Sequence, residues 1–183
     1  MNTRAFLACG LDQPLTEAMA AKASLWRSQD KHSRYRWLDP ASYHLTLCFL
    51  GELDAVSLNN LQAKLSTTAI KLDVKLTITE LVFFPSLTKP KIIAVNLAPS
   101  EQLMGFQQRL CRLVRDAGIQ LNHHRYLPHI SVARAAGYPA NLALNMPAVS
   151  IDQTWQVRNF SLFKSRLTPR GAVYTPLNSY SLV

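Results

Sequence analysis

His44-Leu45-Thr46-Leu47 and His129-Ile130-Ser131-Val132, 85 residues apart, both read His-x-Thr/Ser-x with an apolar residue at each x. In a β-strand, side chains at i and i+2 share a face roughly 6–7 Å apart, so each tetrad presents one imidazole and one hydroxyl together and buries its apolar pair. Two such strands side by side would gather two imidazoles and two hydroxyls in one polar cleft. That set suits the opening of a cyclic phosphodiester by water, which needs a base for the nucleophile, an acid for the departing oxygen and donors for the phosphoryl oxygens. Two histidines, with an ordinary pKa near ~6.5, can hold the two opposite protonation states at neutral pH without a metal. A single His on an apolar strand is more often a hydrogen-bonded structural residue. The recurrence of the same alternation in both halves of the chain is what points to catalysis.

Around the tetrads, residues 3–10 and 43–50 have the short apolar character of strands. Between them Pro14 opens a helix capped by Asp12, with Leu15, Met19, Leu25 and Trp26 expected on its inner face. Leu58, Leu61 and Leu65 form one stripe of a second helix over about 54–68. Residues 71–79 alternate polar and apolar as a strand with one wet face, and Pro85, Ser86 and Pro90 break the chain before a strand at 91–97, giving a hairpin. Ser100 caps a helix to about 117, with Leu103, Phe106, Leu110, Leu113 and Val114 inward and Gly118 at its end. Strands are expected at about 129–134, 155–165 and 172–181, with a loop containing Gly137, Pro139 and Pro147. This order predicts an α+β fold of mainly antiparallel sheets with helices outside. There is no Gly-rich phosphate loop, which excludes nucleotide-triphosphate motors and dinucleotide-fold dehydrogenases.

The 183 residues carry 20 Lys+Arg against 11 Asp+Glu, a formal charge of +9 that suits a polyanionic partner. After Asp116 the only acidic residue is Asp152, against Arg125, Arg134, Arg158, Lys164, Arg166 and Arg170, so a one-sided field is expected. Cys9, Cys48 and Cys111 sit singly in apolar stretches and read as buried free thiols of a reducing compartment. With no signal peptide and no membrane-spanning run, the expected address is cytoplasmic, and the expected state is a monomer. His123 and His124 beside His129 invite a zinc site, yet no ligand spacing accompanies them and Pro128 interrupts any helix. A polar turn at the cleft rim is expected instead. Arg125 can equally meet an RNA phosphate or sit as a solvated loop charge. Tyr126, Phe49 and Phe84 are candidates to stack a nucleobase, set against core packing, and Trp26, Trp37 and Trp155 are assigned to the core.

The chain resembles the 2H phosphoesterase superfamily, in particular its bacterial branch of RNA 2′,3′-cyclic phosphodiesterases, also labelled 2′-5′ RNA ligases. The resemblance rests on Arg4-Ala5-Phe6, Arg36-Trp37-Leu38, the run from His44 to Gly51, the run from Arg125 to Arg134, and Gly171-Ala172-Val173-Tyr174. It implies one domain, residues 1–183, of two lobes: a bilobal α+β fold of two mainly antiparallel sheets related by pseudo-twofold symmetry, with outer helices and a central cleft. It further implies His44 and His129 as the acid and base, in that order, Thr46 and Ser131 on the phosphate, Arg134 at the ligand site, and no metal or cofactor. Ser131 stands where the branch usually has Thr, keeping the hydroxyl and losing the methyl that stiffens its rotamer. The substrate implied is RNA, or a nucleotide, ending in a 2′,3′-cyclic phosphate, hydrolysed to a 2′-phosphate. Joining of RNA ends through a 2′-5′ linkage is the alternative within enzymes, and a non-catalytic RNA-binding module the alternative outside them.

If the positive surface holds RNA through its phosphates, raising salt weakens binding of an oligonucleotide steeply and that of a mononucleotide much less. Equal salt dependence of the two, measured by fluorescence anisotropy, would show that the charge does not serve binding.

Overall fold

Among the described residues, each of the three α-helices begins at a side-chain cap that satisfies an amide three residues on. Asp12 accepts from Leu15 N (2.9 Å) before α1 (Gln13–Arg27), Asp54 from Ser57 N (2.7 Å) before α2 (Ala55–Thr67), and Ser100 from Leu103 N (3.2 Å) before α3 (Glu101–Asp116). The computed structural model describes residues 2–182 except 71–73, 87–89, 123–124, 137–147 and 170. Gly118, at φ 83°, ends α3 by letting its own amide and that of Ile119 return to the carbonyls of Arg115 and Val114 at 2.8 and 3.2 Å. α3 buries Leu103, Phe106, Leu110 and Val114, with Leu113 only partly covered. In α1 the buried stripe is Leu15, Met19, Ala23 and Trp26, and Leu25 is 51% exposed, contrary to expectation. At 3.6 residues per turn Leu25 stands roughly a third of a turn from the centre of that stripe.

The strands are β1 (Thr3–Gly10), β2 (Tyr35–Trp37), β3 (His44–Leu53), β4 (Val74–Phe84), β5 (Ile92–Leu97), β6 (His129–Ala135), β7 (Ser150–Val157), β8 (Asn159–Thr168) and β9 (Gly171–Ser181). All pairings are antiparallel, in the order β7-β4-β5-β6-β3-β1-β8-β9, with β2 added to β6. The fold is therefore mixed α and β, with one sheet where two were expected. Two four-stranded arms merge because β3 and β6 pair at Leu45 and Ile130. The hairpin β4-β5 is present as expected, and β4 runs on to Phe84.

A single strand over 155–165 is corrected to two. β7 pairs with β4 at one edge, and after Arg158 the chain enters the other arm as β8, between β1 and β9. The three-residue β2, unforeseen, is held by buried Asp30, which accepts from Arg34 N (2.8 Å), Tyr35 N (3.0 Å) and Trp37 Nε1 (3.2 Å). Trp26 and Trp155 are buried, and Trp37 packs half-buried against the core. Cys9, Cys48 and Cys111 are free and buried. No described helix is long and apolar enough to cross a membrane. The expected loop residues Gly137, Pro139 and Pro147 lie outside the described residues, as do His123 and His124.

Asp30→Ala leaves three donors at β2 unsatisfied and is expected to lower stability by about 2–3 kcal/mol. Urea unfolding checks this as a lower midpoint at unchanged slope, with Asp30→Asn losing less.

Candidate active site

The one pair that joins the two arms also builds the cleft. Leu45 and Ile130 are fully buried, so in each strand the neighbours one residue either way face the opposite side. His44, Thr46, His129 and Ser131 consequently line one cleft of about 680 Å³. Antiparallel pairing centred on Leu45 and Ile130 sets His44 across from Ser131 and Thr46 across from His129.

The two imidazoles are held alike. Nδ1 of His44 lies 2.7 Å from the carbonyl oxygen of Ser42, and Nδ1 of His129 lies 2.8 Å from that of Leu127, in each case two residues back. A carbonyl only accepts, so Nδ1–H donates in both and Nε2 is left as the nitrogen free for proton transfer. The local sequence favours this geometry: Pro40–Ser42 forms a 3₁₀ turn before His44, and Pro128 biases Leu127 towards extended backbone before His129. Rings fix the planes. Phe6 and Tyr174 pack on His44 at centroid distances of 5.1 and 5.0 Å, and Phe84 stacks on His129 at 4.2 Å.

Burial pushes both imidazoles below the ordinary histidine pKa, although the carbonyl bonds to Ser42 and Leu127 oppose it. The Arg134 guanidinium lowers both further, and His129 adds to the effect on His44. Arg134 stands directly across from Arg36 in the β2–β6 pairing, two like charges that would repel unless an anion lay between or above them. Both line the cleft, with Arg4, and among the described residues no Asp or Glu does. The Arg36 guanidinium lies against Gly171, where a Cβ would come within 3.5 Å of it; with φ at 125° that position also suits glycine's backbone.

Of the residues singled out from sequence, His44, Thr46, Phe49, His129, Ser131 and Arg134 meet in this cleft, and Phe49 is 71% exposed at its rim. Arg125, Tyr126 and Phe84 do not. They line a second cavity that shares Thr46, Phe49, Asn122 and His129 with the first. Tyr126 spends its hydroxyl on the carbonyl of Thr46 (3.1 Å), and burial pushes its pKa up, so it braces β3. The tethering carbonyls and the ring of Phe6 against His44 were not anticipated, and neither were Gln120 and Asn122 at the rim. Among the described residues, no three His, Cys, Asp or Glu side chains gather so as to hold a metal ion.

Comparison with known proteins gives a match of residues 14–168 to the family described as the 2′-5′ RNA ligase superfamily. The chain belongs to this superfamily. The match to the 2′-5′ RNA ligase superfamily extends to curated relatives called RNA 2′,3′-cyclic phosphodiesterase. One from Bacillus subtilis is 27% identical over 137 residues, covering 72% of this chain and 73% of the relative. Another, from Methanothermobacter thermautotrophicus, is 25% identical over 189 residues and covers all of both. Among solved structures, E. coli LigT complexed with 3′-AMP superposes with a TM-score of 0.80 at 22% identity, over 100% of this chain and 99% of that one. A Thermus thermophilus protein gives 0.77 at 25%, over 98% and 97%. These superpositions give the 2′-5′ RNA ligase superfamily chain the fold of LigT.

Because Arg134 depresses both imidazoles, Arg134→Gln is expected to raise both histidine pKa values towards the ordinary ~6.5. NMR titration of the ring protons checks this; unmoved titrations would show that the guanidinium does not face the pair.

Proposed function

We propose that the protein hydrolyses RNA ends bearing a 2′,3′-cyclic phosphate to 2′-phosphate ends, by acid–base catalysis at His44 and His129. The observation that carries this reading is the pair of Nε2 atoms presented to one cleft, each imidazole fixed through Nδ1–H on the carbonyl two residues back. The activity named for the Bacillus and Methanothermobacter relatives supports it.

In this mechanism neutral His129 takes a proton from a water whose oxygen attacks phosphorus, and the bond from phosphorus to the 3′ oxygen breaks on the opposite side. Imidazolium His44 gives its Nε2 proton to that oxygen, leaving a 3′-hydroxyl and a 2′-phosphate. Solvent exchange then returns a proton to His44 and removes one from His129. The order acid, then base follows the resemblance, since the two tethers are alike. Thr46 and Ser131 donate to the phosphoryl oxygens, and Arg134, facing both rings, stabilises the charge that builds on them. Phe49 at the rim offers an exposed face to the base. We read residues 1–183 as one domain of two lobes with pseudo-twofold symmetry. The strand order supports this, since β6-β5-β4-β7 and β3-β1-β8-β9 run outward from the joint with a histidine strand first in each.

His44→Ala and His129→Ala are each expected to lower turnover of a 2′,3′-cyclic nucleotide at least ~10²-fold with circular dichroism unchanged, and the wild type to give a bell-shaped pH profile. Full activity in either folded variant sinks the assignment. A substrate with sulfur in place of the 3′ oxygen needs little protonation on leaving, so it rescues His44→Ala and not His129→Ala. The opposite pattern would exchange the two roles.

A further inference from the structure

A second cavity, about 730 Å³, adjoins the catalytic cleft and is as large, and most of its lining has no role in the chemistry above. One wall is a face of α3 carrying Gln108, Arg112 and Arg115, which follow one another at i, i+4 and i+3 spacings and so stand in a row. The other wall is the segment leading into β6, with Arg125 and the 43% exposed Leu127. The side chains of Arg112, Arg115 and Arg125 are exposed and make no hydrogen bond or ion pair among the described residues, and no described Asp or Glu lines the cavity. Three unpaired guanidiniums around a partly apolar floor match an occupant with anionic links and flat rings. Thr46, Phe49, Asn122 and His129 line both cavities, so one occupant can run from one to the other without leaving the surface.

We propose that this second cavity binds the nucleotide preceding the cyclic end, so that an RNA strand is held there in addition to its terminal nucleotide. The inference rests on the cyclic phosphodiesterase reading of the cleft. A 2′,3′-cyclic phosphate occupies the 3′ terminus, so the remaining strand continues only on the 5′ side. With phosphorus between the histidines, the terminal nucleoside fills the catalytic cleft. The preceding base then lies on the apolar floor by Leu127, and its phosphates meet Arg112, Arg115 and Arg125.

The test uses the double variant Arg112→Gln/Arg115→Gln, with a cyclic mononucleotide and a tetranucleotide carrying the same end. The expected result is that kcat/KM for the tetranucleotide falls at least tenfold while that for the mononucleotide, which also reports correct folding, stays within twofold. A parallel anisotropy titration with a labelled tetranucleotide ending in a 2′-phosphate reads binding without turnover. Affinity should drop, and the slope of log affinity against log salt should flatten by about 1.4, two phosphate contacts at about 0.7 each. Unchanged tetranucleotide affinity, or equal losses for both substrates, overturns the second site. Absence of wild-type turnover on both substrates would instead overturn the cyclic phosphodiesterase reading, with the anisotropy arm still deciding the cavity.

Discussion

The contact on which the site depends is the pairing of Leu45 with Ile130. It is a small contact, one register position between two strands that otherwise belong to separate four-stranded arms. A strand has only two faces, however, and burying both side chains of this pair completely turns His44, Thr46, His129 and Ser131 to the open side. The core thereby aims the candidate groups of the cleft. A one-residue slip of either strand would send its imidazole inward and its leucine or isoleucine into the cleft, so the hydrophobic requirement and the functional one select the same register.

Charge is arranged by the opposite logic, through omission. Among the described residues neither cavity has an Asp or Glu in its lining, although Arg4, Arg36 and Arg134 line one and Arg112, Arg115 and Arg125 the other. Opposing Arg36 and Arg134 across β2 and β6 costs stability in the empty protein. The fold sustains that cost with Asp30, whose three hydrogen bonds fix the short strand from which Arg36 projects. An anion lodged between Arg36 and Arg134 would offset that repulsion.

Much of this was legible from local pattern. The two tetrads announced their strands and their shared face, and Asp12 and Ser100 announced helix starts that the structure places there. What escaped reading was decided by distant partners. β2 has three residues and no periodicity, and it exists because Asp30 and β6 complete it. The division at Arg158 left a faint trace, a shift of the apolar phase from Trp155 and Val157 to Phe160 and Leu162, but a continuous apolar run conceals which neighbours each part will pair with. Leu25 was misplaced because Trp26 beside it already occupied the inner stripe. Phe84 and Phe49 could not be told apart by composition, yet one stacks on His129 and the other stands in solvent at the rim.

The matched tethers pass a mechanistic question to the surroundings of the two rings. Ser42 and Leu127 hold the two imidazoles through the same nitrogen at nearly the same distance, so neither tether makes one ring an acid and the other a base. Arg134 opposes protonation of both rings, and a charge on either ring opposes one on the other. A phosphodiester carries one negative charge into that place, offsetting the repulsion from Arg134 at the ring beside it. In the assignment of His44 as acid, the proton needed for the leaving oxygen is therefore favoured by the arrival of the substrate itself. The base needs no such help, because burial already keeps His129 neutral at physiological pH.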